Sequence, residues 1–264
     1  MISISRINAF ILRHIYLIRS SWPRIIEMIY WPTVQMILWA FITLFLATKS
    51  SWVAQGAGVL ISAVLLWDVL FRSQLGVSLT FIEEVWSRNL GYLFTSPLRP
   101  QELVIGMLII SMIRTLIGVG GASLIAIAMF DHSIYDLGLP LAGFFTNLII
   151  MGWSIGLVVS GIIMRYGLGA ESLAWIAVFA IQPVSGVYYP IATLPDWLQS
   201  VAWFLPSSHV FEGLRAIMFE QTFLADHLIT AFSLNLFYLS ICSALFIWFF
   251  EKARQAGQLL QAGE

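Results

Sequence analysis

Charged residues are scarce in this chain of 264 residues, at 10%, whereas hydrophobic residues make up 59%. Soluble domains are charged at about a quarter of their positions, so this chain could not cover a water-exposed surface. The net charge is -1, and no cluster of Lys and Arg suits a nucleic-acid groove. The composition therefore argues against a nucleic-acid partner and predicts an integral membrane protein, for which lipid is the main solvent.

Cysteine is reduced to Cys242, which lies within an apolar run, so an internal disulfide and a Cys-rich metal site are excluded. The 4 histidines are scattered without an HExxH pair, which argues against a metal site. A Walker A sequence is missing, so the chain has no P-loop to cradle the phosphates of ATP. Neither a Ser-His-Asp set nor paired carboxylates can be placed in one pocket. We predict that the chain is not an enzyme and holds no cofactor of its own.

Long apolar runs dominate what is present. Each is long enough to cross about 30 Å of hydrocarbon as a helix. We predict an all-α integral membrane fold, with an amphipathic lead-in at 1–27, a six-span membrane domain at 28–251 and a cytoplasmic tail at 252–264. The six spans lie at residues 28–47, 53–71, 101–130, 139–163, 171–189 (which contains Pro183) and 228–250.

Lysine and arginine fall mostly on one side of this topology. With both termini placed inside, ten of the 13 basic residues lie inside, two lie outside, and Arg114 lies within the third span. Cytoplasmic loops carry an excess of Lys and Arg. We therefore predict a multi-pass protein of a prokaryotic cytoplasmic (inner) membrane, with both termini in the cytoplasm.

The segment 3–24 has a helical pattern of its own. Arg6 and Arg13 fall opposite its apolar stripe, which predicts an amphipathic helix lying in the membrane interface. A solvated helix is the alternative. The stripe consists of Ile4, Ile7, Ile11, Ile15 and Ile18.

The longest inner loop contains a second amphipathic segment, residues 81–94. Its polar face carries Glu83, Glu84 and Arg88, of which the last two form an i,i+4 pair in the favourable order. Pro97 then forces a turn, because proline restricts its own backbone and that of the preceding residue. We predict a short helix on the cytoplasmic face. It either covers a loop or is pushed by a cytoplasmic partner.

Residues 190–227 are cut by prolines into pieces too short to span, yet they are too apolar for an open loop. Non-helical backbone survives at membrane depth only where it is buried in protein or lines a cavity. We predict short, half-inserted helices on the outer side. Their aromatic residues either anchor the interface or line an exit for a ring-bearing or acyl cargo.

Two features inside the spans need partners. Arg114 lies deep in the third span, where a charge must find a counter-ion, a water-filled cavity or a route to the interface. It either forms a structural ion pair or contacts an anionic group of the cargo. Gly152, Gly156 and Ser160 follow each other at i,i+4 steps, which favours close helix packing within one subunit over a dimer seam.

Two stretches resemble the family of type-2 ABC exporter permeases. Residues 83–106, EEVWSRNLGYLFTSPLRPQELVIG, resemble that family's Glu-rich short helix, its Leu-x-x-Ser-Pro step and the start of a new span. Residues 184–219 resemble its signature after the fifth span, with a Gly and aromatic kink, a Leu-Pro-x-Trp-Leu helix and a Pro-Ser/Thr break. A second short helix then carries Glu-x-x-Arg.

The resemblance implies a half-transporter that pairs, most simply as a homodimer in membrane lipid, and binds two copies of a separate ATPase subunit. That partner would hold ATP and Mg. The segment 81–94 would be the coupling helix, which docks on the ATPase, and 190–219 would form outer re-entrant helices. The implied cargo is amphipathic, lipid-linked, glycan or a hydrophobic small molecule, exported from the cytoplasm or inner leaflet.

Site residues follow from these assignments together with the residue patterns. An ion-coupled secondary transporter and a non-transporting membrane assembly factor remain the alternatives, and the first would need membrane-buried carboxylates. The candidates are Glu83, Glu84, Arg88 and Pro97 for ATPase coupling; Arg114, Tyr188, Tyr189, Trp197 and Trp203 for the pathway or outer gate; and Pro195, Pro206, Glu212 and Arg215 for the re-entrant motif.

Overall fold

The computed structural model describes residues 2–48 and 51–255, and this part of the chain is helical without a strand. Short 3₁₀ turns at Ile134–Leu137, Leu168–Ala170 and Ile191–Thr193 join some of the helices. The α-helices are α1 (Ile4–Arg19), α2 (Trp22–Ala47), α3 (Ser51–Trp86), α4 (Leu90–Thr95), α5 (Pro100–Phe130), α6 (Leu139–Tyr166), α7 (Leu173–Ile181), α8 (Asp196–Ala202), α9 (Pro206–Glu220) and α10 (Ala225–Gln255).

Five of these helices, α2, α3, α5, α6 and α10, are long and apolar enough to cross a membrane. They contain the predicted first, second, third, fourth and sixth spans. Within its most apolar window α3 is 78% buried, whereas α10 is only 11% buried. The core therefore forms around α3, which is packed by α2, α5 and α6, while α10 presents most of its apolar surface outward.

The predicted fifth span, residues 171–189, is not one continuous helix. Its helical part is α7, and turns follow at Gln182. Pro183 lacks a backbone N–H, and Gly186 adopts φ +66°, a conformation that glycine accepts without strain. Together these residues stop the helix after nine residues.

Helices α6 and α10 lie side by side and run in the same direction. Gly143 lies against Leu228 near their first turns, and Gly161 lies against Phe249 near their ends. Between these points the amide of Asn235 donates to the side-chain oxygen of Asn147, at 2.9 Å.

The small residues of α6 lie against α3. A Cβ atom on Gly152 would come within 3 Å of the backbone oxygen of Leu70 and the backbone nitrogen of Gln74. One on Gly156 would come equally close to the backbone oxygen of Gln74. For Gly152 and Gly156, the prediction of packing within one subunit is confirmed.

The prediction of a single amphipathic helix over residues 81–94 is wrong. Helix α3 continues to Trp86, and the chain then turns through Arg88, whose φ of +52° ends the helix. Glu83 and Glu84 therefore belong to the last turn of α3, and Glu84 pairs with Arg13 of α1 instead of Arg88. The predicted turn at Pro97 is present, and α5 begins three residues later.

The lead-in and the tail have different boundaries from those predicted. Helix α2 begins at Trp22, inside the predicted lead-in, and α10 continues through the first residues of the predicted tail to Gln255. Residues 256–264 of that tail lie outside the described residues. In α1 the buried side consists of Ile7, Phe10, His14 and Ile18.

Candidate functional site

Three carboxylates at the neighbouring ends of α3 and α5 form ion pairs with arginines of other helices. We call this set, Glu83, Glu84 and Glu102, the carboxylate cluster. It lies where α3 ends and α5 begins, and its arginine partners come from α1, α2 and α5. Each carboxylate has at least one arginine partner.

Glu84 is the most connected member and is only 2% exposed. Arg13 of α1 donates from Nη1 to its two oxygens, at 2.5 and 2.7 Å. Asn89, in the turn after α3, donates from Nδ2 to Oε2 at 2.7 Å. His14 places Nε2 3.3 Å from Oε1. Such charge-assisted bonds are about twice as strong as neutral ones.

His14 itself lies on the buried side of α1 and is fully buried. Burial lowers the pKa of His14, while the hydrogen bond to the carbonyl of Phe10 and the nearby charge of Glu84 act in the opposite direction. Burial is the largest of these influences, so the net direction is a lowered pKa. Arg13 supplies the positive charge that Glu84 requires.

Glu83 pairs with arginines of two other helices. Arg114 of α5 donates from Nη2 to its Oε2 at 2.7 Å, and Arg24 of α2 places Nη1 3.7 Å from Oε1. Arg114 is 6% exposed, so a counter-ion is necessary for this charge at membrane depth. Of the two roles open for Arg114, the structure contains the ion pair. Its pathway role stays a prediction.

Glu102 closes the cluster and caps α5. It accepts from Arg6 at 2.6 Å, from the backbone N–H of Ser3 at 2.8 Å and from that of Arg99 at 2.9 Å. A glutamate three residues after the N-cap of a helix that begins with proline is a sequence signal for such a cap. The sequence pattern placed Arg6 and Arg13 opposite the isoleucine stripe of α1 and did not predict their carboxylate partners.

Residues 184–219, which we call the outer segment after their predicted side of the membrane, contain the predicted Glu-x-x-Arg motif. Arg215 donates from Nη2 to Glu212 at 2.9 Å, and from Nη1 to the carbonyl of Gly186 at 2.7 Å. Glu212 also accepts from the backbone N–H of Ile191 at 2.7 Å. The pair therefore holds the turns after α7 against α9. Pro195 precedes α8, and Pro206 is the first residue of α9.

The five predicted pathway or gate residues do not share one set of neighbours. Tyr188 stacks on Trp39 of α2, with ring centroids 4.3 Å apart. The hydroxyl of Tyr189 donates to the carbonyl of Pro183. Trp197 is exposed on α8, whereas Arg114 belongs to the carboxylate cluster. The structure therefore does not bring the five together into one site.

Trp203 contacts a histidine pair that the sequence pattern did not reveal. Its ring lies 5.1 Å from that of His209 on α9 and 5.9 Å from that of His227 on α10. The Nδ1 atoms of the histidines are 3.2 Å apart, and His209 Nε2 donates to the carbonyl of Trp203. His209 Nδ1 is then the acceptor for His227. In the described ranges no three potential ligands are grouped for a metal ion.

The histidine pair should make stability fall in acid. Burial lowers the pKa of His209, the carbonyl of Trp203 opposes this, and His227 lowers it further. A lowered folded-state pKa contributes stability above the unfolded value of about 6.5, and that contribution is lost as pH falls below it. Thermal unfolding in detergent should show a lower Tm at about pH 5.5 than at about pH 7.5. The decrease should be smaller in His209→Gln, and equal decreases in both proteins would contradict this role.

Comparison with known proteins identifies the family of this chain. The family model "ABC-2 type transporter" matches residues 16–219. The chain belongs to the ABC-2 type transporter family. It is thus an ABC transporter permease, a membrane component that is distinct from the catalytic ATPase, and its multi-pass character follows from the family and the apolar helices.

The match contains all three carboxylates and the outer segment, whereas Arg6, Arg13 and His14 lie before it. The permease is also 29% identical over 147 residues to "ABC transporter G family member 20" of Dictyostelium discoideum. That alignment covers 54% of the permease and 20% of the relative. The permease therefore matches about a fifth of that protein's length.

Proposed function

We propose that this permease is the transmembrane subunit of an exporter, powered by a separate ATP-binding-cassette ATPase. The supporting observation is the exposed end of the α3–α4–α5 connection, residues 86–99, which we call the docking tip. It lies next to the partly buried ion pairs of the carboxylate cluster. A push on the docking tip would thereby reach α1, α2 and α5 as well as α3.

The docking tip offers side chains suited to a protein partner. Trp86 is 54% exposed and Tyr92 is 76% exposed, with Arg88 and Pro97 also exposed between and beside them. Aromatic residues and arginine dominate the energetics of protein interfaces. Arg88 and Pro97 would contact the ATPase directly. Glu83 and Glu84 would act from within, because Glu84 is buried and both are paired.

The membrane face of α2 supports a second copy of the permease beside the first. Glu27 and Gln35 are exposed there, next to Tyr30 and Trp31, although an exposed carboxylate is costly in lipid. The exposed side chains in the middle of α5 are apolar by contrast, as at Leu116. This distribution fits a homodimer with a polar path along α2. Such a homodimer would bind two ATPase copies, and those partners would hold ATP with Mg.

Six crossings with both termini in the cytoplasm fit the helix directions. Since α6 and α10 run the same way, the chain between them must return across the membrane, and α7 with its following turns would make that fifth crossing. Helices α8 and α9 would then be the outer re-entrant helices. The positive-inside distribution supports a prokaryotic cytoplasmic membrane.

Cargo assignment rests on the aromatic outer segment, which suits amphipathic, lipid-linked, glycan or hydrophobic molecules leaving the cytoplasm or inner leaflet. Tyr188, Tyr189, Trp197 and Trp203 would line its gate at different points, with Arg114 nearer the inner side. Profiling envelope lipids and glycans of a deletion strain would test the cargo class. Purified permease that moves cargo alone down an ion gradient would contradict the exporter.

Charge reversal on the docking tip should weaken the ATPase complex. Arg88→Glu with Tyr92→Ala removes an arginine and an aromatic contact, so we expect co-purification with the ATPase subunit to weaken about tenfold, or ~1.4 kcal/mol. Binding assays with purified subunits would measure it. Arg165→Glu, at an exposed arginine where α6 ends, is the matched control. Equal effects of the two charge changes would contradict a docking role for the tip.

A further inference from the structure

The two oxygens of Glu84 serve two different parts of the chain. Oε1 accepts from Arg13 of α1 and lies near His14, and Oε2 accepts from Asn89 as well as from Arg13. Arg13 and Asn89 are remote in sequence, and this carboxylate is their shared partner. Because it is 2% exposed, water cannot readily replace either partner when one of them moves.

Asn89 fixes the turn from which the docking tip projects. Its backbone N–H donates to the carbonyl of Glu84 at 3.0 Å while its side chain bonds the carboxylate of the same residue. Arg88 is held between these bonds in the left-handed region, at φ +52°, which non-glycine residues adopt only at a cost. The position of the Glu84 side chain therefore decides where Arg88 and α4 point.

We propose that Glu84 is a positioning residue that makes the docking tip sensitive to the N-terminal helix. When α1 is seated, Arg13 holds the carboxylate where Asn89 can bond it, and the tip has its binding conformation. When α1 moves away, the carboxylate turns and the constraint on Arg88 is lost. This inference rests on the proposed function, since it assigns the order of the tip to the ability to bind an ATPase.

A second ion pair of α1 provides a matched comparison. Arg6 bonds Glu102 at 2.6 Å and so also ties α1 to the rest of the permease. Glu102 also accepts from the backbone of Ser3 and Arg99, so it ties α1 to the start of α5. If Glu84 only anchors α1, loss of Arg6 and loss of Arg13 should act alike.

The test is a double-mutant cycle on ATPase binding by the full-length permease in detergent or nanodiscs. Arg13→Gln and Asn89→Ala should each weaken binding of the ATPase subunit about fivefold. Together they should weaken it no further, because both act through one carboxylate. Arg13→Lys should recover most of the binding, and Arg6→Gln should stay within about twofold of wild type. Additive effects, or an Arg6→Gln loss equal to that of Arg13→Gln, would overturn the proposal.

Limited trypsin digestion supplies a readout that needs no ATPase. Cleavage after Arg88 should be about fivefold faster in Arg13→Gln than in wild type or Arg6→Gln. Unchanged cleavage in Arg13→Gln would overturn the positioning role even where the ATPase binds. Faster cleavage in a permease that binds no ATPase would support the positioning role and reject the proposed function, so the two failures are distinguishable.

Discussion

Replacing Gly152 by valine is expected to prevent the permease from accumulating in the membrane in folded form. A Cβ atom at this position would meet the backbone of α3 at Leu70 and Gln74, as well as the side chain of Ser73. Backbone atoms cannot rotate away, so α3 and α6 would have to separate along the most buried surface of the fold. Overpacking of a core costs about 1–3 kcal/mol and occasionally more. We expect Gly152→Val to lose stability at or above the upper end of this range, as measured by thermal unfolding.

Gly120 of α5 is the matched control for this substitution. It is also a helical glycine within an apolar span, but a Cβ there meets nothing within 4 Å. Gly120→Val should therefore accumulate and melt close to wild type. A Gly152→Val protein that behaves like the Gly120→Val control would show that α3 and α6 do not approach as closely as described.

Replacing Glu83 by glutamine should produce the second large effect. The change leaves Arg114 buried beside a neutral amide, and it also removes the carboxylate from Arg24. Removing one partner of a buried ion pair costs about 3–5 kcal/mol, because the other charge stays buried without compensation. The expected result is a marked decrease in membrane abundance, measured by immunoblotting, and in Tm, measured by thermal unfolding.

A double variant separates the charge effect from a packing effect. Glu83→Gln combined with Arg114→Gln leaves no uncompensated charge at this position, so most of the stability should return. Arg114→Gln alone should be milder than Glu83→Gln, since Glu83 keeps Arg24 nearby. Normal abundance of Arg114→Gln together with lost export would favour the pathway role of Arg114 over the ion pair.

The sequence pattern predicted helices well wherever a long run of residues is apolar. Helices α5, α6 and α10 are long apolar runs, so length alone located them. The pattern failed in the second half of α3, because it ended the second span at residue 71, whereas Ser73, Gln74 and Thr80 continue the helix. These polar residues are buried, and for example the hydroxyl of Thr80 donates to a carbonyl one turn earlier. Hydrogen bonds within α3 itself therefore replace part of the water that such residues would otherwise need.

The carboxylate cluster could be predicted only in part. Glu83, Glu84 and Arg114 were recognised as costly or clustered charges, but their partners were not. Arg13 lies 71 positions from Glu84 along the chain, and no local spacing rule connects residues so far apart. The pattern matched Glu84 to its i,i+4 neighbour instead, and this pairing fails because the helix ends before Arg88.

The length of α3 has a mechanical consequence. Its 36 residues extend about 54 Å at 1.5 Å per residue, well beyond the roughly 30 Å of hydrocarbon. A rigid rod of that length that tilts by about 10° displaces one end relative to the other by about 9 Å. A modest swing of one end of α3 therefore displaces the other end, in the opposite leaflet, without breaking a hydrogen bond inside the helix.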